Sequence, residues 1–375
     1  MPKKLPFLEA ISVLVGTIIG AGILGIPYVV AQAGFLTGLA VLVVLSAAVL
    51  MVNLFLGEIV LSTKGIHQLT GYAEKYLGQT GKYAMFFSVM FGFYGALLAY
   101  IIGEGEALAA LTGGSPFLFS LLFFAFASSL VYIGLTIIKR FEFIMTLFIL
   151  AIVIVITCWG ISSLKLDHLL AFNWQRLFIP YGVIFFAVGG ISAISQVREA
   201  LSGKEKLVKK AIIIGTLFPF AVYLIFTLIV VGITSLNTTE IATIGLGRIM
   251  GKTMLIFGNL FAVFTMGTSF LTLGLALKNT YKLDLKLSHF WSWSLTCFIP
   301  LIIFILGLHG FVKIIGTIGA VGGGIEGLLI LAIYLKLKSL KQKERQPEYS
   351  FAYQLPIILL LSLIFIGGIV YTFLY

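Results

Sequence analysis

Eleven stretches of about 20 or more predominantly apolar residues, joined by short polar loops, restrict this chain to one kind of architecture. A helix rises ~1.5 Å per residue, so roughly 20 apolar residues cross the ~30 Å hydrocarbon core of a bilayer. The stretches are 7–31, 36–62, 83–111, 117–137, 142–164, 178–198, 208–235, 253–279, 289–308, 311–335 and 353–374. Only 10% of the residues are charged, against about 25% in soluble domains. Too few charges remain to cover a soluble surface. The pattern predicts an all-α polytopic membrane protein, one transmembrane domain over 1–375, with the lipid bilayer as its surroundings.

The formal net charge of +11 points at first to an acidic partner such as nucleic acid. Its distribution argues otherwise. With the N-terminus in the cytoplasm and strict alternation, Lys165, Arg176, Arg248, Lys252 and Lys313 are the only ones of the 25 basic residues on the outer side. The rest, from Lys3 and Lys4 through Lys64, Lys139, Arg198 and Lys278 to Lys341, Lys343 and Arg345, face inward. That asymmetry is the positive-inside signal of a cytoplasmic (inner) membrane protein, and it places the C-terminus outside. The first apolar run, about 24 residues, exceeds the ~7–15 of a secretory signal and reads as a retained span. Cys158 and Cys297 lie in apolar spans far apart, and the four histidines are scattered, so no disulfide framework, metal site or cofactor is expected.

Span 1 contains Gly20-Ala21-Gly22-Ile23-Leu24-Gly25, which matches the dinucleotide pattern G-x-G-x-x-G. That pattern requires a preceding strand and an acidic residue about 20 positions on. Here the glycines sit inside one apolar run and the next acidic residue is Glu58. A different cause is needed. Span 1 carries Gly16, Gly20, Gly22, Gly25 and Pro27, and span 6 carries Gly189 and Gly190 at its middle. Glycine costs a helix ~1 kcal/mol relative to alanine, and interior proline ~3. Spans 1 and 6 lie five crossings apart and run in opposite directions. This is the pattern of a five-plus-five inverted repeat whose halves each open on a broken helix, with the substrate site at the membrane midplane. The halves would be about 7–164 and 178–335, with 353–374 as an extra helix. A simpler use for Gly16-x-x-x-Gly20 is a close-packing seam, which accounts poorly for Pro27 and for the second break.

A broken helix exposes N–H groups that suit a carboxylate and carbonyls that suit an ammonium. A zwitterionic amino acid carries both charges about 3 Å apart, within reach of neighbouring backbone groups. No basic residue is needed at the midplane, and none lies deep in any span.

The stretch GTIIGAGILGIPYVVAQAGF (16–35) resembles the first-helix motif of the amino acid/auxin permease family. IFFAVGGISAISQVREAL (184–201) and KKAIIIGTLFPFAVYLIF (209–226) resemble its sixth and seventh helices. Similar sequences often have Pro-Glu where this chain has Ser195-Gln196. The resemblance places the chain in the amino acid–polyamine–cation superfamily, with the sodium-symporter-like inverted-repeat fold. It implies that backbone N–H groups around Ala21 and Gly22, flanked by Gly20 and Ile23, take the substrate carboxylate. Carbonyls near Thr17, Phe186, Ala187 and Gly189, beside Gly190, would take the ammonium. Tyr100 or Tyr94 on span 3 would serve as a lid.

Thr265, Thr268 and Ser269 stand at i, i+3 and i+4 on one face of span 8. The resemblance makes them a sodium site completed by carbonyls at Val15 and Ile18. Hydroxyls in membrane helices also commonly bond the preceding turn, which is the plainer use for them. Glu326, near the middle of span 10, is the candidate for proton coupling, because a charge there is costly and marks function. The expectation is an ion-coupled (sodium or proton) symporter of amino acids. Spans 1, 2, 6 and 7 would rock against spans 3, 4, 5, 8, 9 and 10. The alternative is an amino-acid-sensing receptor on the same scaffold. A membrane-embedded enzyme would need a midplane cluster of His, Asp or Cys, and the sequence has none. It carries no signal for oligomeric state or for side-chain selectivity.

Overall fold

The computed structural model describes residues 6–134, 138–283, 286–340, 344–352 and 354–374, with backbone alone for 138–147 and 283. Lys3, Lys4, Lys341 and Lys343 of the charge pattern, and the ends of spans 4 and 11 at 137 and 353, lie outside the described residues. The architecture is helical throughout the described residues. Eight helices are long and apolar enough to cross a bilayer, a bent pair makes a ninth crossing, and two shorter apolar helices complete the expected set.

In chain order the helices are α1 (Pro6–Ile18), α2 (Gly22–Ala33), α3 (Phe35–Ser62), α4 (Leu69–Thr112), α5 (Pro116–Ile133), α6 (Ile138–Gly160), α7 (Tyr181–Val188), α8 (Ile194–Ala200), α9 (Val208–Thr234), α10 (Ala242–Met250), α11 (Lys252–Leu283), α12 (His289–Ile305), α13 (Phe311–Thr317), α14 (Gly324–Ser339) and α15 (Leu355–Leu374). Spans 1 and 6 are each split, into α1/α2 and α7/α8. Span 10 is also interrupted, by one stretch of π-helix at Ile318–Gly323 between α13 and α14. Such wide turns tend to occur at functional sites.

Two elements depart from the sequence reading. The stretch between spans 2 and 3 is helical from Leu69 and joins span 3 in α4, which runs 44 residues across a kink at Gly78 (φ 74°, ψ −164°). Positive φ with extended ψ is open to glycine and strained for any side chain, so the surface helix can turn there without ending. The loop after α9 holds α10, a nine-residue helix read from sequence as loop. Its apolar face packs on α11, α9 and α2, whereas hydropathy over a membrane-length window registers only long runs.

Two packing groups emerge. The broken helices α1/α2 and α7/α8 pack on α3 and α9. The other group is centred on α4, which carries α5, α11, α12, α13 and α14. α6 leans on both α9 and α11, and α15 lies outside against α14 and the π-turn. The ends of α3, α5, α11 and α14 and the starts of α4, α9 and α12 share the lysine-rich end of the bundle.

Candidate functional site

The two interrupted crossings are unwound and touch. α1 stops at Ile18 and α2 starts at Gly22, with a 52° bend between them. Ile19 N–H bonds Val15 O (2.8 Å), while Ile23 and Leu24 N–H turn back to Gly20 O (3.2 Å) and Ala21 O (3.0 Å). The N–H groups of Ala21 and Gly22 meet no acceptor among the described residues. In the second crossing, α7 ends at Val188, Gly189 is extended (φ −64°, ψ 119°), and Gly190 (φ −136°, ψ 10°) leads into a tight turn before α8. A β-carbon at Gly22 would stand 2.5 Å from Ala187 Cβ and 2.6 Å from its Cα. One at Gly190 would stand 2.8 Å from Ile18 Cγ1. Both glycines are what let the two backbones meet.

Tyr223 of α9 holds the junction. Its side chain is fully buried. Its hydroxyl lies 2.5 Å from the Ile18 carbonyl and 3.1 Å from the Ala187 carbonyl, and the Gly20 amide faces it as well. One side chain therefore satisfies backbone groups freed by both breaks. Tyr223 lies in the stretch that resembles the seventh helix of the amino acid/auxin permeases, and that resemblance gives it no role. The available signal was a tyrosine in the middle of an apolar span, since a buried hydroxyl needs a partner.

The second packing group closes the junction through α11 and α4. Ser269 Oγ lies 3.4 Å from where a Gly20 β-carbon would be, and it also meets the Tyr100 hydroxyl. Tyr94 is placed elsewhere. Its hydroxyl bonds that of Tyr281 and lies 3.3 Å from Leu295 O, so it ties α4 to α11 and α12. The six positions between the two tyrosines put them on faces of α4 about 120° apart, and only the Tyr100 face meets the breaks. Phe186 is half-buried at the end of α7, whose backbone rests on the π-turn. A β-carbon at Gly319 would be 2.0 Å from Gly182 O and 2.7 Å from Phe186 N.

The residues expected to hold a coupling ion are less gathered. Thr268 donates to Phe264 O (2.8 Å) on its own helix and also lies 3.2 Å from Thr265 O. Thr265 is buried, and its hydroxyl has no partner among the described residues. The Val15 carbonyl accepts from Ile19, and that of Ile18 from Tyr223. Thr17 is exposed, with its hydroxyl bonded to Val13 O (2.8 Å), and Ile23 is fully enclosed in the core. Glu326 is half-buried on α14, 4.0 Å from where a Gly92 β-carbon on α4 would lie.

The two ends of the junction differ. Away from the lysine-rich end, Gly25 is walled in: a β-carbon there would lie 2.8 Å from Ile315, 3.2 Å from Val183 and 3.5 Å from Phe311. Glu240 accepts from Val312 N–H at the start of α13 (2.9 Å), and Arg176 donates to Gln32 O (2.9 Å). Toward the lysine-rich end, Thr17, next to last in α1 and three positions before Gly20 of the break, is exposed. α1 packs chiefly on α9 and α8.

Comparison with known proteins agrees with this fold. A crystal structure of MhsT in complex with L-phenylalanine superposes with a TM-score of 0.69, covering 100% of this chain and 98% of that one at 17% identity. The fold is therefore shared. Glutamine transporter 2 of Aliivibrio fischeri is 25% identical over 356 residues, 89% of each chain. Tyrosine-specific transport system 1 of Haemophilus influenzae is 28% identical over 327 residues, 81% of each. The motifs of helices 1, 6 and 7 resemble the amino acid/auxin permeases; the family profile that matches carries a different name, tryptophan/tyrosine permease, and spans residues 3–373. A match of that extent, on a multi-pass helical fold with two touching helix breaks, establishes that the chain belongs to the tryptophan/tyrosine permease family.

Proposed function

We propose that this chain is a secondary active transporter that carries amino acids across the cytoplasmic membrane by alternating access, coupled to an ion. The observation that carries the reading is the contact between the two helix breaks at Gly22 and Ala187, with the Ala21 and Gly22 N–H groups unpaired beside it. In a membrane interior, unpaired backbone groups survive only where a cavity or ligand satisfies them. The Ala21 and Gly22 N–H groups take the substrate carboxylate, with Gly20 and Ile23 shaping the turn. Carbonyls at Thr17, Phe186, Ala187 and Gly189, next to Gly190, take the ammonium. Tyr100, facing Ser269, covers the site. The relatives named for glutamine and tyrosine, and the phenylalanine in the MhsT crystal, support an amino acid as cargo.

The two halves 7–164 and 178–335 act as inverted repeats, with 353–374 added outside them. The lysine-rich end faces the cytoplasm, which puts the N-terminus inside and the C-terminus outside. The wall around Gly25 and the exposed Thr17 then describe a site closed to the outside and reachable from within. The coupling ion is sodium, at Val15, Ile18, Thr265, Thr268 and Ser269, or a proton, at Glu326. Thr268 bonded to its own helix favours the proton.

Uptake of labelled tyrosine, phenylalanine, tryptophan and glutamine into proteoliposomes, under separate proton and sodium gradients, tests the proposal. Accumulation of at least one of them under one gradient is expected. Binding without flux would instead identify a sensor, and neither binding nor flux for any amino acid would reject the reading.

A further inference from the structure

On the reading that the chain transports amino acids, we propose that Glu104 of α4 is a proton-binding residue of the transport cycle, placed on the outer side of the substrate site. Glu104 is fully buried, and neither carboxyl oxygen has a hydrogen-bond partner among the described residues. Its Oε1 lies 3.0 Å from where a Gly267 β-carbon would stand on α11, and Phe123 of α5 borders the same point. One position earlier, Gly103 packs against Met266 and Phe311. These neighbours offer carbon and sulfur. A carboxylate among them would be an unpaired charge, which buried sites do not keep. A sodium ion would need several oxygen ligands around it, and neither carboxyl oxygen has a polar partner within hydrogen-bond distance among the described residues. A proton on the carboxyl satisfies the site without them.

No charged group competes for that proton. α5 has no charged residue, and α11 has none between Lys252 and Lys278. On α4 the nearest is Glu106, which has Glu240 in its neighbourhood. Lys313 of α13 is exposed.

The position ties the group to the substrate. Glu104 follows Tyr100 by four residues, hence on the same face of α4 and one turn further from the lysine-rich end. Tyr100 meets Ser269, and Glu104 meets Gly267 two residues earlier on the same helix. Substrate lid and buried acid share one seam between α4 and α11. Sealed as here, the carboxyl holds its proton. It can exchange that proton with outside water only in a conformation that opens the seam at that end, so occupancy and conformation are linked. Glu326 faces Gly92, twelve positions earlier on α4 and roughly 18 Å nearer the lysine-rich end. The two carboxyls therefore flank the site from opposite sides.

Glu104→Gln keeps the shape of the protonated acid and removes the exchangeable proton. In proteoliposomes the variant should retain counterflow exchange of amino acid within about twofold of wild type, yet lose about tenfold or more of accumulation driven by a proton gradient. Unchanged proton-driven accumulation in the variant, or accumulation in the wild type driven by sodium alone, would overturn the assignment. Infrared spectra of the purified proteins give a second measurement that needs no transport. A protonated-carboxyl band present in wild type and in Glu326→Gln, and diminished in Glu104→Gln, is expected; a spectrum unchanged by Glu104→Gln refutes the proposal. If the wild type shows no counterflow of any amino acid, the transport reading fails by itself, and the infrared comparison still decides the state of Glu104.

Discussion

At the scale of single residues, the junction depends on one hydroxyl and one missing methyl group. Tyr223→Phe removes the donor shared by the Ile18 and Ala187 carbonyls. Leaving buried acceptors unpaired costs ~1–3 kcal/mol. The variant should melt at a lower temperature in detergent and lose uptake while still inserting, and unchanged melting and uptake would remove Tyr223 from the site. The glycines divide by position. Gly22→Ala places a β-carbon 2.5 Å from Ala187 Cβ, too close for a side chain to swing aside. Overpacking of this kind costs ~1–3 kcal/mol, so uptake should fall by about tenfold or more. Gly20→Ala meets only Ser269 Oγ at 3.4 Å, an ordinary contact, and should transport measurably. Equal effects of the two substitutions would deny that contact between the breaks matters. The glycine cluster was legible in sequence because breaks are local. Tyr223 was not, because its partners lie 205 and 36 positions away.

At the scale of elements, the segment between α14 and α15 acts as a strap across the lysine-rich end. Glu58 of α3, fully buried, accepts from Lys338 Nζ of α14 (2.6 Å), Ser350 Oγ (2.7 Å) and Phe351 N–H (3.0 Å). Tyr349 bonds Leu54 O (2.8 Å), Arg345 bonds Leu61 O (2.8 Å), and Lys209 of α9 stands over the Tyr349 and Phe351 rings. Glu344 reaches Lys75 of α4 (2.7 Å), and that hydrogen bond holds its carboxyl below the ordinary range. The strap thus joins α3 and α9 of one packing group to α4 and α14 of the other. Glu58→Ala would leave Lys338 as a nearly buried ammonium without its carboxylate. Breaking a buried pair on one side costs ~3–5 kcal/mol, whereas Glu58→Met with Lys338→Met should recover most of the loss in thermal melting. A double variant no more stable than the single one would show that the pair contributes by packing alone. Sequence alone does not reveal this strap, since its acceptors are buried carbonyls and one glutamate in a distant span.

At the scale of the whole molecule, the proposed alternating access assigns the movement to the two packing groups. With Cys158 replaced by serine and Cys297 buried, Thr17→Cys offers a single accessible thiol near the end of α1. A membrane-impermeant thiol reagent should label it from the cytoplasmic side, and bound amino acid should slow the labelling. Labelling from the outside only would invert the orientation or the state described for this site. The sequence by itself determined what depends on length, composition and local backbone: a series of apolar crossings and the two points where a helix cannot run straight, Gly20–Gly22 and Gly189–Gly190. Hydrocarbon thickness and the cost of glycine in a helix act on each segment alone, so one segment suffices to read them. Only the tertiary structure decided that the breaks touch, that Tyr100 rather than Tyr94 meets them, that Tyr223 bridges them, and that Glu104 is enclosed without a hydrogen-bond partner among the described residues. These are contacts between residues up to two hundred positions apart, and their partners are set by the packing of whole helices, which no single stretch of sequence specifies.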